Sequence, residues 1–267
     1  MDPAEFDRLV ARAQNPRLIP GIYNYCDGRC PRCPFTERCL TYLDDQELKA
    51  AGDDEDASLA DAIGASLQRT IEMLAEAARR EGIDLSDLDT GTAAADVEAE
   101  FERHRRDPLV VRAHEYGHLA WRIAKGIEPL VAARGDPTVV EAVETINWFS
   151  SLIASKLCRA VSGLAEGPET QEQVQTDFNG SAKVALIGID ASRRGWRVLM
   201  DAGKATADGV PAQAVKMLDG LEASIRDRFP RAMSFVRPGF DEPDVAAGAA
   251  ATLPPFAKRR PQQGSAL

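Results

Sequence analysis

The chain has 267 residues, 44% of them hydrophobic and 28% charged, enough to bury one large core or two small ones. Its formal net charge of -10 repels phosphate backbones and argues against nucleic-acid binding, because the clearest basic run is only Lys258-Arg259-Arg260 near the C-terminus. No stretch is long and apolar enough to span a membrane, the acidic start Met1-Asp2-Pro3-Ala4-Glu5 lacks the apolar segment of a signal peptide, and four of the five cysteines crowd into one short segment, so a reducing, cytoplasmic setting is expected and no partner is named.

Residues 3–13 read as a short amphipathic helix with Phe6, Leu9, Val10 and Ala13 on one side. Asn15-Pro16 and Pro20-Gly21 then break the chain, and the cysteine segment from Tyr25 to Leu40 follows, with Gly28, Pro31 and Pro34 suited to tight turns. Residues 45–56 are acidic, densest at Asp53-Asp54-Glu55-Asp56, and read as an exposed connection. Ser58 can cap a helix that ends at Gly82, its apolar stripe being Ile63, Leu67, Ile71, Leu74 and Ala78. Residues 83–92 read as a loop and 93–105 as a short helix.

Pro108 opens the next helix, whose stripe is Leu109, Ala113, Tyr116, Ala120, Ile123, Ile127 and Leu130. Gly135-Asp136-Pro137 stops it and starts another, carrying Val143, Ile146, Ile153, Leu157 and Leu164 and closed by Gly163 and Gly167-Pro168. A further helical pair is expected over 181–202 and 211–228, joined at Asp208-Gly209. Residues 183–190 also admit a strand ending at Asp190, a position resembling the first acidic residue of ribonuclease-H-like nucleases. Period-two alternation is nearly absent elsewhere, so the helix is favoured. From Pro238 the composition turns to Pro, Gly and Ala, and disorder is expected. The organisation is therefore residues 1–44 as an N-terminal helix and metal-binding segment, 45–237 as a helical bundle, and 238–267 as a tail. The fold class is all-α, a multi-helix bundle of five or six helices preceded by the cysteine-rich segment.

Cys26, Cys30, Cys33 and Cys39 have the spacing C-x3-C-x2-C-x5-C. Thiolates are soft anionic ligands, and four of them complete a tetrahedral zinc site or ligate one cubane cluster. Arg29, Arg32 and Arg38 can offset their charge. The run Cys30-Pro31-Arg32-Cys33 through Cys39 resembles the C-x2-C-x5-C of auxiliary-cluster domains and certain iron–sulfur nucleases. That resemblance implies a [4Fe–4S] cluster as the cofactor, with zinc as the alternative. The opening spacing is also that of radical-SAM proteins, but the βα repeats of their barrel are missing. Together, Ile22-Tyr23-Asn24-Tyr25-Cys26 through Cys39 and Asp177-Phe178-Asn179-Gly180-Ser181-Ala182-Lys183 resemble an uncharacterised bacterial family, which brings no known activity.

His114-Glu115-Tyr116-Gly117-His118 matches H-E-x-x-H and resembles the zincin signature. Two histidines four apart can ligate one zinc, and Glu115 can act as the general base on its water. Glu144 or Glu141, on the following helix, would supply the third ligand. The sheet on which zincins place this helix is not readable, and His114 and His118 lie on the flank of the apolar stripe. Glu115-x-x-His118 is also half of a di-iron site, for which Glu72 and Glu144 are further candidates, but no second E-x-x-H exists. Three functions are weighed: a metal-binding helical protein with a redox or sensing role, a zinc-dependent hydrolase using His114, His118 and Glu115, and an iron–sulfur nuclease-like enzyme that requires the strand at 183–190. Cys158, Trp121, Trp148 and Trp196 read as packing residues, Gly188 and Gly195 as points of close helix approach, and Asp177 or Ser181 as a helix cap.

Overall fold

A computed structural model describes residues 1–51, 59–85, 90–134, 136–166, 173–202 and 209–242. Among them are eight α-helices and no strand: α1 (Pro3–Ala13), α2 (Leu40–Ala51), α3 (Leu59–Glu81), α4 (Thr90–Arg105), α5 (Pro108–Arg134), α6 (Pro137–Glu166), α7 (Asp177–Asp201) and α8 (Val210–Arg228). The all-α class is as expected, and α5 and α6 begin at the prolines that signal them, whereas α4 begins at Thr90 rather than at residue 93 and α7 at Asp177 rather than at residue 181. Pro108 and Pro137 each begin a helix, and the preceding Asp107 and Asp136 accept from the Leu109 and Thr138 amides at 2.9 and 3.0 Å. Each aspartate therefore satisfies a donor that a helix start leaves open. Thr176, rather than Asp177 or Ser181, caps α7, its hydroxyl accepting from the Asn179 amide at 3.2 Å.

Helices α5 to α8 form the bundle. Their stripes meet in one core that includes Val110, Tyr116, Ile146, Ile153, Leu157, Ile189, Trp196, Leu218 and Ile225. Buried side chains of this size each contribute roughly 1.5–3 kcal/mol by leaving water. Close approach is set by glycine. A Cβ on Gly117 would collide with the Ser150 carbonyl, and one on Gly188 would stand 2.8 Å from the Phe149 ring. Gly195 likewise admits Ile146 and the Ala142 carbonyl. At the centre the Trp196 indole N–H donates to the Tyr116 hydroxyl at 3.1 Å, so the fully buried indole keeps its hydrogen bond. Burial pushes the Tyr116 hydroxyl up to about 12.

Five expectations are corrected. The buried apolar core is supplied by four helices, α5 to α8, with α4 resting on α5 and α6 and α1 to α3 outside it. The acidic stretch from residue 45 belongs to α2 as far as Ala51; its acids face solvent, where Arg12 of α1 grips Asp44 and Glu47. Asp53 to Asp56 and Ser58 lie outside the described residues, as do Gly167-Pro168 and Asp208. The α3 stripe is not core: Ile63, Leu67, Ile71 and Leu74 are all more than half exposed, and only Ala78 is buried. Periodicity marks an apolar face but does not say that its own chain covers it; α3 meets the N-terminal segment through polar pairs, Arg69 with Glu5, Glu72 with the Met1 amino group and Arg80 with Asp7, and Arg80 also lies over Phe6. Trp121 is 53% exposed and packs into no core. Finally, Pro238 to Glu242 are ordered: Phe240 meets Phe35 edge-on at 5.1 Å, and Asp241 pairs with Lys183. Residues 243–267 lie outside the described residues. No described helix is long and apolar enough to cross a membrane.

Candidate metal centre on the cysteine arm

Between α1 and α2 the chain is a run of short 3-10 turns, Ile22–Asn24, Cys30–Arg32 and Thr36–Arg38. Pro31 fixes the second turn, and Gly21 and Gly28 take φ of +71°, a backbone that side-chain-bearing residues rarely adopt. Ile19, Ile22 and Phe35 form a small core of their own, with Cys33, Cys39 and Phe240 against it. A core this small leaves the arm in need of other anchors.

Those anchors come from α6. Glu141, Thr145, Trp148, Lys156 and Arg159 follow one another at helical spacing along a single face. Arg32 binds Glu141 at 2.5 Å and Glu144 at 3.7 Å. Arg29 donates to the Thr145 hydroxyl at 3.0 Å, and the Trp148 indole donates to the Asp27 carbonyl at 2.7 Å. Lys156 donates to the Asn24 carbonyl at 2.7 Å. Arg159 clamps Asp177 with two bonds of 2.7 and 2.6 Å, and the Tyr25 hydroxyl donates to the same carboxylate at 2.9 Å. The Tyr25 ring lies over bare Gly180, where a Cβ would collide with it, and sits 4.7 Å from Phe235. The segments around Tyr25 and around Asp177 to Lys183 therefore meet in space. Behind them Lys183 is buried, bonded to the Phe235 carbonyl at 2.6 Å and paired with Asp241 at 2.7 Å.

Cys26, Cys30, Cys33 and Cys39 all line one cavity of about 20 Å³, closed on its apolar side by Ile22 and Phe240. All are free thiols and all are partly buried. The Cys33 sulfur accepts from the Phe35 amide at 3.4 Å, and the Cys26 thiol donates to the Tyr23 carbonyl at 3.5 Å. Burial pushes the Cys26 and Cys33 thiols up, against the pull of amides at Gly28 and Phe35. Burial likewise pulls down Arg29 and Lys156, the cations beside them. Among the described residues, however, no group of three or more His, Cys, Asp or Glu side chains is arranged to hold a metal ion. In donor chemistry the arm suits a thiophilic centre: four sulfurs on one cavity, an amide already aimed at one of them, and cations to balance the charge. In geometry the sulfurs are not closed around a centre; the Cys26 sulfur, for one, faces the Tyr23 carbonyl.

The histidine motif is placed differently. His114, Glu115 and His118 are all exposed on α5, and burial and His118 together pull the His114 imidazole down. Glu144 stands on α6 within ion-pair distance of Arg32, at the cysteine arm. The histidines gain no third ligand among the described residues. Cys158 is half-buried against the core, and burial pushes its thiol up, which suits a packing role. The helix α7 runs unbroken through 183–190, so the strand that a nuclease-like fold requires is overturned. Compared with known proteins, the chain matches no family model, no curated protein and no solved structure.

The sequence alone missed the anchoring residues of α6, Thr145, Lys156 and Arg159, whereas Tyr25 and Lys183 lie in segments it had singled out. A signal was there: the polar side of α6 repeats at the same helical spacing as its apolar side.

Proposed function

We propose that the cysteine arm holds one metal centre through Cys26, Cys30, Cys33 and Cys39, and that the protein serves a redox or sensing role. The observation that carries this is that all four cysteines line one cavity of an arm fixed to α6 by side chains from Thr145 to Arg159. A [4Fe–4S] cluster is the first candidate, supported by the C-x2-C-x5-C run, and zinc is the alternative. A cluster would supply one-electron chemistry, whereas zinc would supply a structural staple. The chain's own part is to release four protons, to offset part of the thiolate charge with Lys156, and to exclude water with Ile22 and Phe240.

The test is anaerobic purification followed by metal and sulfide analysis and an absorption spectrum on one sample. Brown protein holding equal iron and sulfide, lost in Cys33→Ala, is the expected outcome. Colourless protein with zinc held by the same cysteines would replace the cluster with the staple. Protein that takes up neither metal, under conditions where it stays folded, would end the proposal. Hydrolysis by His114, Glu115 and His118 would return only if a second zinc were lost in His118→Ala.

A further inference from the structure

A second cavity, of about 390 Å³, opens between the cysteine arm, α6 and α7. Its size falls in the range of roughly 300–1,000 Å³ typical of small-molecule sites. The floor is apolar, with Phe149 of α6 and Ile187 and Val198 of α7, and Gly195 leaves it open where any side chain would stand against Ile146. Of the cations at the cavity, Arg194 is bound by Asp190 on its own helix. Arg29 is half-buried, and among the described residues it has no carboxylate within ion-pair distance; its one side-chain partner is the Thr145 hydroxyl at 3.0 Å. A guanidinium has five donors in a planar fork, so most of Arg29's remain to be met by something entering the cleft.

We infer that this cleft binds a small organic monocarboxylate with a flat or chain-like apolar body, its head group on the Arg29 fork and its body on Phe149, Ile187 and Val198. The charge on the walls selects the head. Asp27 and Glu141, the latter paired with Arg32, also line the cavity, so the second charge of a dianion such as a phosphate monoester would add repulsion with no second free cation among the described wall residues to meet it, whereas one carboxylate matches one guanidinium in a two-bond pair. Thr145, also on the cavity wall, accepts one bond from the fork and so orients it before the ligand arrives. The cleft shares Asp27 and Arg29 with the cysteine cavity, but the inference does not depend on a metal there.

The experiment is calorimetric titration of the full chain with 2-naphthoate and, separately, with 2-naphthylmethanol and 2-naphthyl phosphate. Saturable binding of the carboxylate is expected, at least tenfold tighter than of the alcohol or the phosphate. Arg29→Gln should weaken it at least tenfold. Because Arg29 also anchors the arm, Ala191→Phe provides a second variant on the opposite wall, which fills the cleft without touching the arm and should abolish binding with the circular dichroism unchanged. Absence of saturable binding at millimolar carboxylate, equal binding of the alcohol or the phosphate, or unchanged binding in Ala191→Phe would each overturn the inference. None of these outcomes depends on metal loading, so the cleft and the metal centre stand or fall separately.

Discussion

The α5–α8 bundle and the cysteine arm are built on opposite principles. The bundle is held by interlocked apolar side chains, with glycines where backbones approach and the polar tips of Trp196 and Tyr116 bonded to each other at its centre. The arm has only Ile19, Ile22 and Phe35 as a core, and borrows the rest of its order from side chains of α6 and from Asp177 of α7. Packing of the first kind needs nothing outside the chain. An arm tied by partly exposed polar bonds, each contributing about 1 kcal/mol or less, is poised to gain from a ligand that cross-links it.

The sharpest break in this contrast comes from the bundle. Trp196→Ala should cost about 3–5 kcal/mol, since it empties a fully buried site and strips the Tyr116 hydroxyl of its donor. Thermal unfolding by circular dichroism should show a large fall in midpoint. A loss no greater than that of an arm variant would make the two regions equivalent.

Next is Asp241→Asn, which leaves the buried Lys183 without its carboxylate and should cost about 3 kcal/mol. Here pH offers a second view. Bonds from Arg237 and Lys183 hold the Asp241 carboxyl below its usual range against the opposing effect of burial. A depressed carboxylate stabilises the fold above its unfolded pKa of about 4, and that contribution is lost as pH falls through the lower folded value. The protection of the Phe240 amide, relative to its intrinsic exchange rate at each pH, should therefore fall in acid in the natural protein and change much less with pH in Asp241→Asn.

Tyr25→Phe and Arg159→Gln should each cost about 1 kcal/mol, and their effect should be confined to the arm. Faster exchange at Tyr25 to Cys33 with an unchanged bundle would sharpen the distinction. Global unfolding would erase it. At the small end, Arg32→Gln should change stability by less than about 0.5 kcal/mol, because Arg32, Glu141 and Glu144 are all well exposed; denaturant titration would register nothing beyond error.

The same contrast explains what could be read beforehand. Helix boundaries were legible wherever a residue acts on its own backbone, as Asp107-Pro108, Asp136-Pro137 and Gly82 do. The core faces of α5 and α6 were legible because a 3.6-residue stripe has one burial partner in a bundle. The α3 stripe obeys the same period and stays exposed, since nothing local encodes which surface meets it. The four cysteines were legible from spacing. Their anchors were not, because Lys156 and Arg159 look like ordinary solvated charges until the partner segment, more than a hundred residues away, is laid beside them.

Trp148 adds a practical consequence. Its ring lies against Gly28 and its N–H holds the Asp27 carbonyl, so it touches the arm while belonging to the bundle. The other two tryptophans are poor witnesses of that contact, Trp196 being sealed in the core and Trp121 bare to solvent. The chain thus carries its own optical gauge of the joint between its two halves. With Trp121 and Trp196 replaced by Phe, emission from the remaining indole would red-shift as the arm lifts and hold its colour while the arm stays seated.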